Sequence, residues 1–336
     1  MARLTLDVAT EPLRLAAPFR ISGHVFETVD CIVVTVDDGA HRGRGEASGV
    51  YYLDDGVPHM LAAIESARSV IEVGISREDL RTLMPAGGAR NAVDAALWEL
   101  ESHRSGRPVW ALAGLAPPRP LLTTFTLGAD EPAAMAQGAR DYAQAKAIKV
   151  KLTGALDLDI ARVRAIRAAR PDVWLGVDAN QGFSIGDLDA LARAMVDAGV
   201  SLIEQPLARG READLEGFAS PIQIAADESA LALDDVAGLV GRFDVVNIKL
   251  DKCGGLTEGL MIAAAAREAG LEVMVGNMVC TSLGMAPGFV LGQLCDICDL
   301  DGPIFLKRDR EPGIVYRDGE AWCDERVWGA EATGTA

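Results

Sequence analysis

The chain has 336 residues, is 49% hydrophobic and carries a formal net charge of -17. That length fits two domains, or one barrel with an appendage, with ample apolar material for a core. Such acidity argues against nucleic acid as a partner, since phosphate binding requires a basic surface, and no apolar run reaches the ~18 residues of a membrane span.

Residues 1 to about 50 read as strands. Cys31-Ile-Val-Val-Thr-Val36 is rich in β-branched residues, and Asp37-Asp-Gly39 is a hairpin signal leading to a second strand through Gly43-Arg-Gly-Glu46. Pro18-Phe-Arg-Ile-Ser-Gly-His24 has no period and contains Gly and Pro, which predicts a loop. From about 54 to 115 the pattern turns helical. Asp54-Asp55 is placed to cap a helix through Met60, Ala63, Ile64, Ala67 and Ile71. Asn91–Leu100 is amphipathic, and Gly106-Arg-Pro108 ends it and opens another helix. Ala116-Pro-Pro-Arg-Pro120 is rigid punctuation and the best domain boundary.

Beyond it the chain is periodic. Apolar strands at 121–127, 147–152, 173–177, 201–203, 222–225, 245–250, 273–275 and about 294–300 alternate with helical segments, clearest at 156–169, 186–198 and 256–269. Eight βα units in about 180 residues is the count of a (β/α)8, TIM-type barrel. The expected organisation is an α+β capping domain at 1–118, the barrel at 119–312 and a segment at 313–336 that packs back on the capping domain.

Six cysteines form no disulfide-type framework, and Cys295-Asp-Ile-Cys298 lacks the strand-then-helix context of a redox motif. They read as plain buried or semi-buried thiols. The N-terminus has no signal-peptide core, so the cytoplasm is the expected compartment.

In a barrel of this kind the chemistry lies at the C-terminal ends of the strands. Read in turn, those ends give Lys149/Lys151, Asp178, Glu204, Asp227, Lys249, Gly276-Asn277 and Asp299/Asp301, spaced by roughly 22 to 29 residues. Asp178, Glu204 and Asp227 are three carboxylates on adjacent strands aimed at one point. Unpaired they would repel, and a hard divalent cation such as Mg2+ resolves this. The plain alternative is three helix N-caps. Lys149 and Lys151 alternate with Ile148 and Val150, so they share one strand face about 6–7 Å apart. Each is expected to depress the other's pKa. Strand two lies across a barrel from strand six, which sets Lys151 opposite Lys249. Two bases on opposite faces of an α-carbon, beside a metal-bound carboxylate, suit 1,1-proton transfer through an enediolate.

Together Lys149-Val-Lys151, Val177-Asp-Ala-Asn180, Ile203-Glu-Gln-Pro206, Ala226-Asp-Glu-Ser229 and Asn247-Ile-Lys-Leu-Asp251 resemble the muconate-lactonizing branch of the enolase superfamily. Within it, Asp299-Leu-Asp301-Gly-Pro resembles the eighth-strand Asp-x-Asp of dipeptide epimerases, where both carboxylates grip the substrate's ammonium. The resemblance implies a small-molecule dipeptide substrate, one Mg2+ per subunit, Lys151 and Lys249 as acid/base pair, and Lys149 and Thr126 as substrate contacts. Asn180 and Glu228 would stand behind the metal ligands. A homo-oligomer is expected. The alternatives on the same scaffold are an N-succinylamino acid racemase, an o-succinylbenzoate synthase or other cycloisomerase, and a barrel that only binds peptides. One departure stands out. Ala-Glu epimerases carry an arginine after the Pro-Phe pair, where this chain has His24, or Phe26 if a gap is allowed. The second residue of the dipeptide is then either Glu held by His24 or Arg20, or an apolar residue packed on Phe19, Ile21 and Phe26.

Overall fold

The computed structural model describes residues 3–21 and 24–331. The N-terminal part is an antiparallel sheet of β1 (Thr5–Ile21), β2 (His24–Asp37) and β3 (Arg42–Ala47). Along β2, Ile32, Val34 and Val36 are fully buried while the residues between them are not, the period-2 pattern of a one-sided sheet. The buried face packs on α1 (Val57–Val73) through Met60, Ile64 and Ala67, on α2 (Arg77–Leu83) through Leu80, and on α3 (Gly88–Ser105).

Two local expectations are corrected. Residues 18–21 form strand rather than loop. β1 takes an irregularity between Arg14 and Phe19 and resumes with Phe19 opposite Phe26 and Arg20 opposite Val25. Its pairing partner and the bridge from Leu15 to Leu306 hold it extended, neither of which leaves a local period. Asp55 is not the cap of α1; Gly56 is. The Asp55 carboxylate instead accepts from the Gly88 amide at 2.6 Å and contacts the His59 ring at 2.8 Å. His24 opens β2, but its side chain lies outside the described residues.

After the short α4 (Val109–Leu112) the barrel begins. Its strands follow β4 (Leu121–Leu122): β5 (Thr124–Leu127), β6 (Ala147–Lys151), β7 (Trp174–Asp178), β8 (Leu202–Glu204), β9 (Gln223–Ala226), β10 (Val245–Lys249), β11 (Glu272–Gly276) and β12 (Ile297–Asp299). All neighbours from β5 to β12 pair in parallel. Between them run the helices α5 (Pro132–Asp141), α6 (Leu156–Ala169), α7 (Ile185–Asp197), α8 (Val236–Leu239), α9 (Leu250–Cys253), α10 (Leu256–Glu268) and α11 (Ser282–Gly292). The β5 and β12 edges meet through side chains: the Thr126 amide donates to Asp301 at 2.6 Å, and the Leu300 amide to Thr123 Oγ1 at 2.8 Å. The strands are buried on both faces, as a parallel sheet under helices must be.

A hairpin of β13 (Val315–Arg317) and β14 (Glu320–Trp322) pairs with β4. The following segment returns to the N-terminal part, where Trp328 Nε1 donates to the Arg44 carbonyl at 3.1 Å. α3 joins the two cores. Ala92 and Ala96 face the N-terminal sheet, while Ala95 and Trp98 belong to the barrel core.

Close approach of β3 to α3 requires glycine. A Cβ on Gly45 would overlap the Ala92 carbonyl oxygen, and one on Gly43 the Ala96 carbonyl. Gly45→Ala should therefore force sheet and helix apart and cost about 1–3 kcal/mol, the usual range for overpacking. An unchanged urea midpoint and melting temperature would contradict this contact.

Candidate active site

The parallel register sets the functional side chains in rows. Lys151 lies opposite Asp178, and Asp178 opposite Glu204. On the other side Lys249 pairs with Gly276, and Gly276 with Asp299. Asp227 follows the last residue of β9. β6 and β10 are four strands apart in a ring of eight, so Lys151 and Lys249 enter the barrel mouth from opposite walls.

Asp178, Glu204 and Asp227 are fully buried and each offers an oxygen within 4.8 Å of the others. Among the described residues they are the one group of three or more such side chains arranged to hold a metal ion. The lysines surround them. Lys151 Nζ donates to Asp178 at 2.6 Å and Lys249 Nζ to Asp227 at 2.7 Å. Lys149 Nζ lies 2.7 Å from both Asp299 and Glu204 and 3.3 Å from Asp178.

The sequence pattern did not single out Lys252 or Gln205, and it gave Asn247 no role. Lys252, buried on the turn after Lys249, donates to the Asp227 carboxylate at 2.6 Å and to the Asn247 carbonyl at 3.0 Å. Asn247 Nδ2 donates to Glu204 at 2.9 Å. Gln205 adopts a positive φ of 37°, and its Oε1 accepts from the Asp227 and Ser229 amides at 3.0 and 3.1 Å. Left-handed backbone is unusual for such a residue and costs about 1–3 kcal/mol. It ties the end of β8 to that of β9. The available signal for Lys252 was its place on the helical turn directly after the strand that ends in Lys249.

The charges do not titrate as two neighbouring lysines alone would. Burial opposes the charge on Lys149, yet Asp299, Glu204 and Asp178 hold its ammonium well above the usual value. Lys249 is likewise raised against burial, by Asp227. For Lys149 the expected depression is overridden because three carboxylates crowd its amine. Burial also opposes the charge on Asp178, but Lys151 and Lys149 keep its pKa down at about 2. Glu204 is pushed up to about 8 by burial and by Asp178.

These residues fit a hard divalent cation. The donors are all carboxylate oxygens from separate strands. Glu204 Oε2 is 2.7 Å from the Lys149 ammonium but out of line for a hydrogen bond, so it keeps a buried lone pair with no donor aligned on it. A cation there would compensate the carboxylates that otherwise hold the lysines charged.

At the β5–β12 seam, Asp299 accepts from Lys149 and from Thr124 Oγ1 at 2.5 Å. Asp301 accepts from the Thr126 amide, and burial together with Asp299 pushes its pKa to about 7. Thr126 and the two aspartates line the same cavity as Lys151 and Lys249, a space of about 340 Å3 between the barrel mouth and the N-terminal part.

Asp251 locks that N-terminal part in place. Its carboxylate, buried on α9, accepts from the Ser48 and Gly49 amides at 3.0 and 2.9 Å. Burial pushes its pKa up to about 7. The folded chain therefore keeps this proton between about pH 4 and 7, where the unfolded chain loses it, and stability falls as pH rises through that window. Asp251→Asn should remove this part of the slope. Urea titrations at pH 4.5 and 7.5 would show the wild type losing stability relative to the variant; parallel pH profiles would count against it.

Comparison with known proteins extends the site to a family. Residues 131–319 match the enolase C-terminal domain-like family, and residues 3–114 match the mandelate racemase / muconate lactonizing enzyme N-terminal domain. The chain is 37% identical over 318 residues to the L-Ala-D/L-Glu epimerase of Escherichia coli (strain K12), covering 94% of this chain and 98% of that one. It is also 37% identical over 295 residues to an N-acetyl-D-glutamate racemase of Pseudoalteromonas, covering 86% and 91%. A crystal structure of an enolase family member from Agrobacterium tumefaciens with homology to dipeptide epimerases, holding sodium and L-Ala-L-Glu, superposes with a TM-score of 0.94 at 38% identity, covering 97% and 100%. Other solved dipeptide epimerases are complexed with Mg and a dipeptide. With both domains matched and full-length relatives above 30% identity, the chain belongs to the mandelate racemase / muconate lactonizing enzyme group of the enolase superfamily.

Proposed function

We propose that this protein is an Mg2+-dependent dipeptide epimerase that inverts the α-carbon of the dipeptide's C-terminal residue. The observation that carries this reading is the pairing of two lysines on opposite barrel walls with a buried Asp-x-Asp at the seam. Opposed amines supply proton transfer on both faces of one carbon. The aspartate pair supplies the counter-charge for a free ammonium.

Asp178, Glu204 and Asp227 would hold the cation, which when bound supplies positive charge to the substrate carboxylate and so acidifies the adjacent C–H. Lys149 would add a second positive charge beside the carboxylate. Asp299 and Asp301 take the substrate ammonium, with the Thr126 amide orienting Asp301. One of Lys151 and Lys249, as the free amine, removes the α-proton, and the other, as ammonium, delivers one to the opposite face. The roles exchange for the reverse direction. Asn247, Gln205 and Lys252 hold Glu204 and Asp227 in place.

The N-acyl amino acid racemase reading draws on the Pseudoalteromonas relative. It is disfavoured by two buried carboxylates at the seam, which an N-acylated substrate would leave facing a neutral amide. A cytoplasmic, homo-oligomeric enzyme is the form in which we expect it.

Dipeptides in D2O with Mg2+ provide the test. Wild type should incorporate one deuterium at the α-carbon and interconvert epimers, and chelation should stop both. Lys151→Ala and Lys249→Ala should each abolish epimerisation, while the surviving lysine still exchanges the hydrogen it faces. Normal epimerisation by both variants would remove the two-base mechanism. Asp301→Ala should lower kcat/KM for free dipeptides by at least about tenfold, the scale of a charge-assisted contact of 1.5–3 kcal/mol. An equal loss on N-acylated substrates would contradict the ammonium role.

A further inference from the structure

The Asp-x-Asp segment lies where the barrel ladder runs out. β12 pairs with β11 only as far as Asp299, opposite Gly276. On its other side β12 faces β5, and among the described residues no ladder joins the two. From Leu300 to Gly302 the backbone therefore has no strand partner, although two buried carboxylates must be held there beside each other. Buried peptide groups need partners.

Side chains replace the missing ladder. In the peptide unit between Asp299 and Leu300, the carbonyl accepts from Asn277 Nδ2 at 2.9 Å, with the Asn277 amide turned so that both its ends are paired. The N–H of that unit donates to Thr123 Oγ1 at 2.8 Å. In the next unit, the Leu300 carbonyl accepts from the Tyr316 hydroxyl at 2.8 Å. In the last, the Gly302 amide donates to Asn277 Oδ1 at 3.0 Å, and the Asp301 carbonyl accepts from the Ile304 amide at 2.9 Å. All three peptide planes that carry Asp299 and Asp301 are set by partners outside the pair.

Two of these ties lead to the C-terminal hairpin. Tyr316 lies on β13, its ring edge-on to Phe125 with centroids 6.2 Å apart. Phe125 sits between Thr124 and Thr126, which bond the two aspartates. Thr123 is tied to the hairpin turn, where its amide donates to the Gly319 carbonyl at 3.1 Å. Tyr316 is not among the residues lining the cavity that holds Lys151 and Lys249, so it reaches a substrate only through the aspartates.

We propose that Tyr316 is a positioning residue for the substrate ammonium: through the Leu300 carbonyl, its hydroxyl fixes the peptide plane that aims Asp301 beside Asp299. This rests on the epimerase reading and gives the C-terminal hairpin a part in it. Without the hydroxyl, the Leu300 carbonyl loses this partner and the plane is free to turn toward another. The aspartates then lose their common aim, while Lys151, Lys249 and the three carboxylates between them, all on other strands, keep theirs.

Steady-state kinetics of the full-length enzyme with Mg2+ test this, with a panel of L-Ala-L-Xaa dipeptides as substrates and the N-acetyl derivative of the best one as competitive inhibitor. Tyr316→Phe removes one oxygen and keeps the ring. It should raise KM for free dipeptides by about three- to tenfold, the span of one hydrogen bond's net worth. The change in kcat should stay below about twofold, as when an interaction common to ground and transition states is lost. Inhibition by the N-acetyl dipeptide should not change. Because Tyr316 acts through Asp301, the same substitution in an Asp301→Ala background should add nothing further to KM. Should Tyr316→Phe fail to fold, Thr123→Val releases the neighbouring plane and is expected to give the same selective rise in KM, again absent in the Asp301→Ala background. Equal losses for free and N-acetylated ligands, a fall in kcat alone, or effects of Tyr316 and Asp301 that simply add overturn the inference while leaving an epimerase. If the wild type exchanges the α-hydrogen of no dipeptide in D2O, the epimerase reading falls and this inference with it.

Discussion

The structure depends on keeping a dense set of buried charges in balance. Three carboxylates within 4.8 Å repel by about 3–4 kcal/mol per pair at an effective dielectric of about 20. The sum approaches the ~5–15 kcal/mol total stability of a typical domain. Compensation is therefore obligatory, and the chain supplies much of it itself. Lys149, Lys151, Lys249 and Lys252 face Asp178, Glu204, Asp227 and Asp299, four amines to four carboxylates. Glu204, pushed up to about 8, is the carboxylate these amines compensate least, and a cation between it, Asp178 and Asp227 would supply the missing positive charge.

Most of this was legible in the sequence because a parallel barrel repeats itself. Each strand end falls at the same structural place, so polar residues recurring roughly every 25 positions identify a common mouth. Asp178, Glu204, Asp227, Lys151 and Lys249 follow from that repeat alone, and parallel pairing brings them together in rows. The Asp299/Asp301 pair was legible too, as two acids at the eighth strand position, although only Asp299 lies on β12 and Asp301 follows two residues beyond it. What the pattern could not give is what depends on distant partners. Residues 18–21 are extended because Phe26 and Leu306 hold them so, and no local period records that. Asp55 looked like a helix cap, but the Gly88 amide, 33 residues away, takes its carboxylate. Gln205 could not be read as a strained bridge between strand ends, because its φ is imposed by the two strands it joins.

α3 explains how a separate N-terminal part can form half of a cavity. Its alanines let the glycines of β3 approach on one side, and Trp98 is embedded in the barrel on the other, donating to Thr257 at 3.0 Å. Arg90 adds a buried ion pair to Glu258 at 3.0 Å. Asp251 performs the corresponding role at the mouth, where its carboxylate, two residues beyond Lys249, holds the loop that carries Tyr51 and Tyr52. The strand that ends in Lys249 and the loop above it are thereby fixed through one side chain.

This arrangement divides the recognition of a substrate physically. In the proposed reading the barrel floor would take groups common to every dipeptide: a carboxylate, an α-carbon with two faces and an ammonium. Those contacts are charged, buried and mutually compensating, so a change in one disturbs all the others. Above it, the β1–β2 hairpin and Phe305 contribute aromatic surface, resting on its own apolar cluster outside the charged network. A substitution there alters contact area without altering charge balance at the floor. Side-chain preference is therefore free to vary while proton transfer is not, and relatives with nearly superimposable barrels can act on different dipeptides.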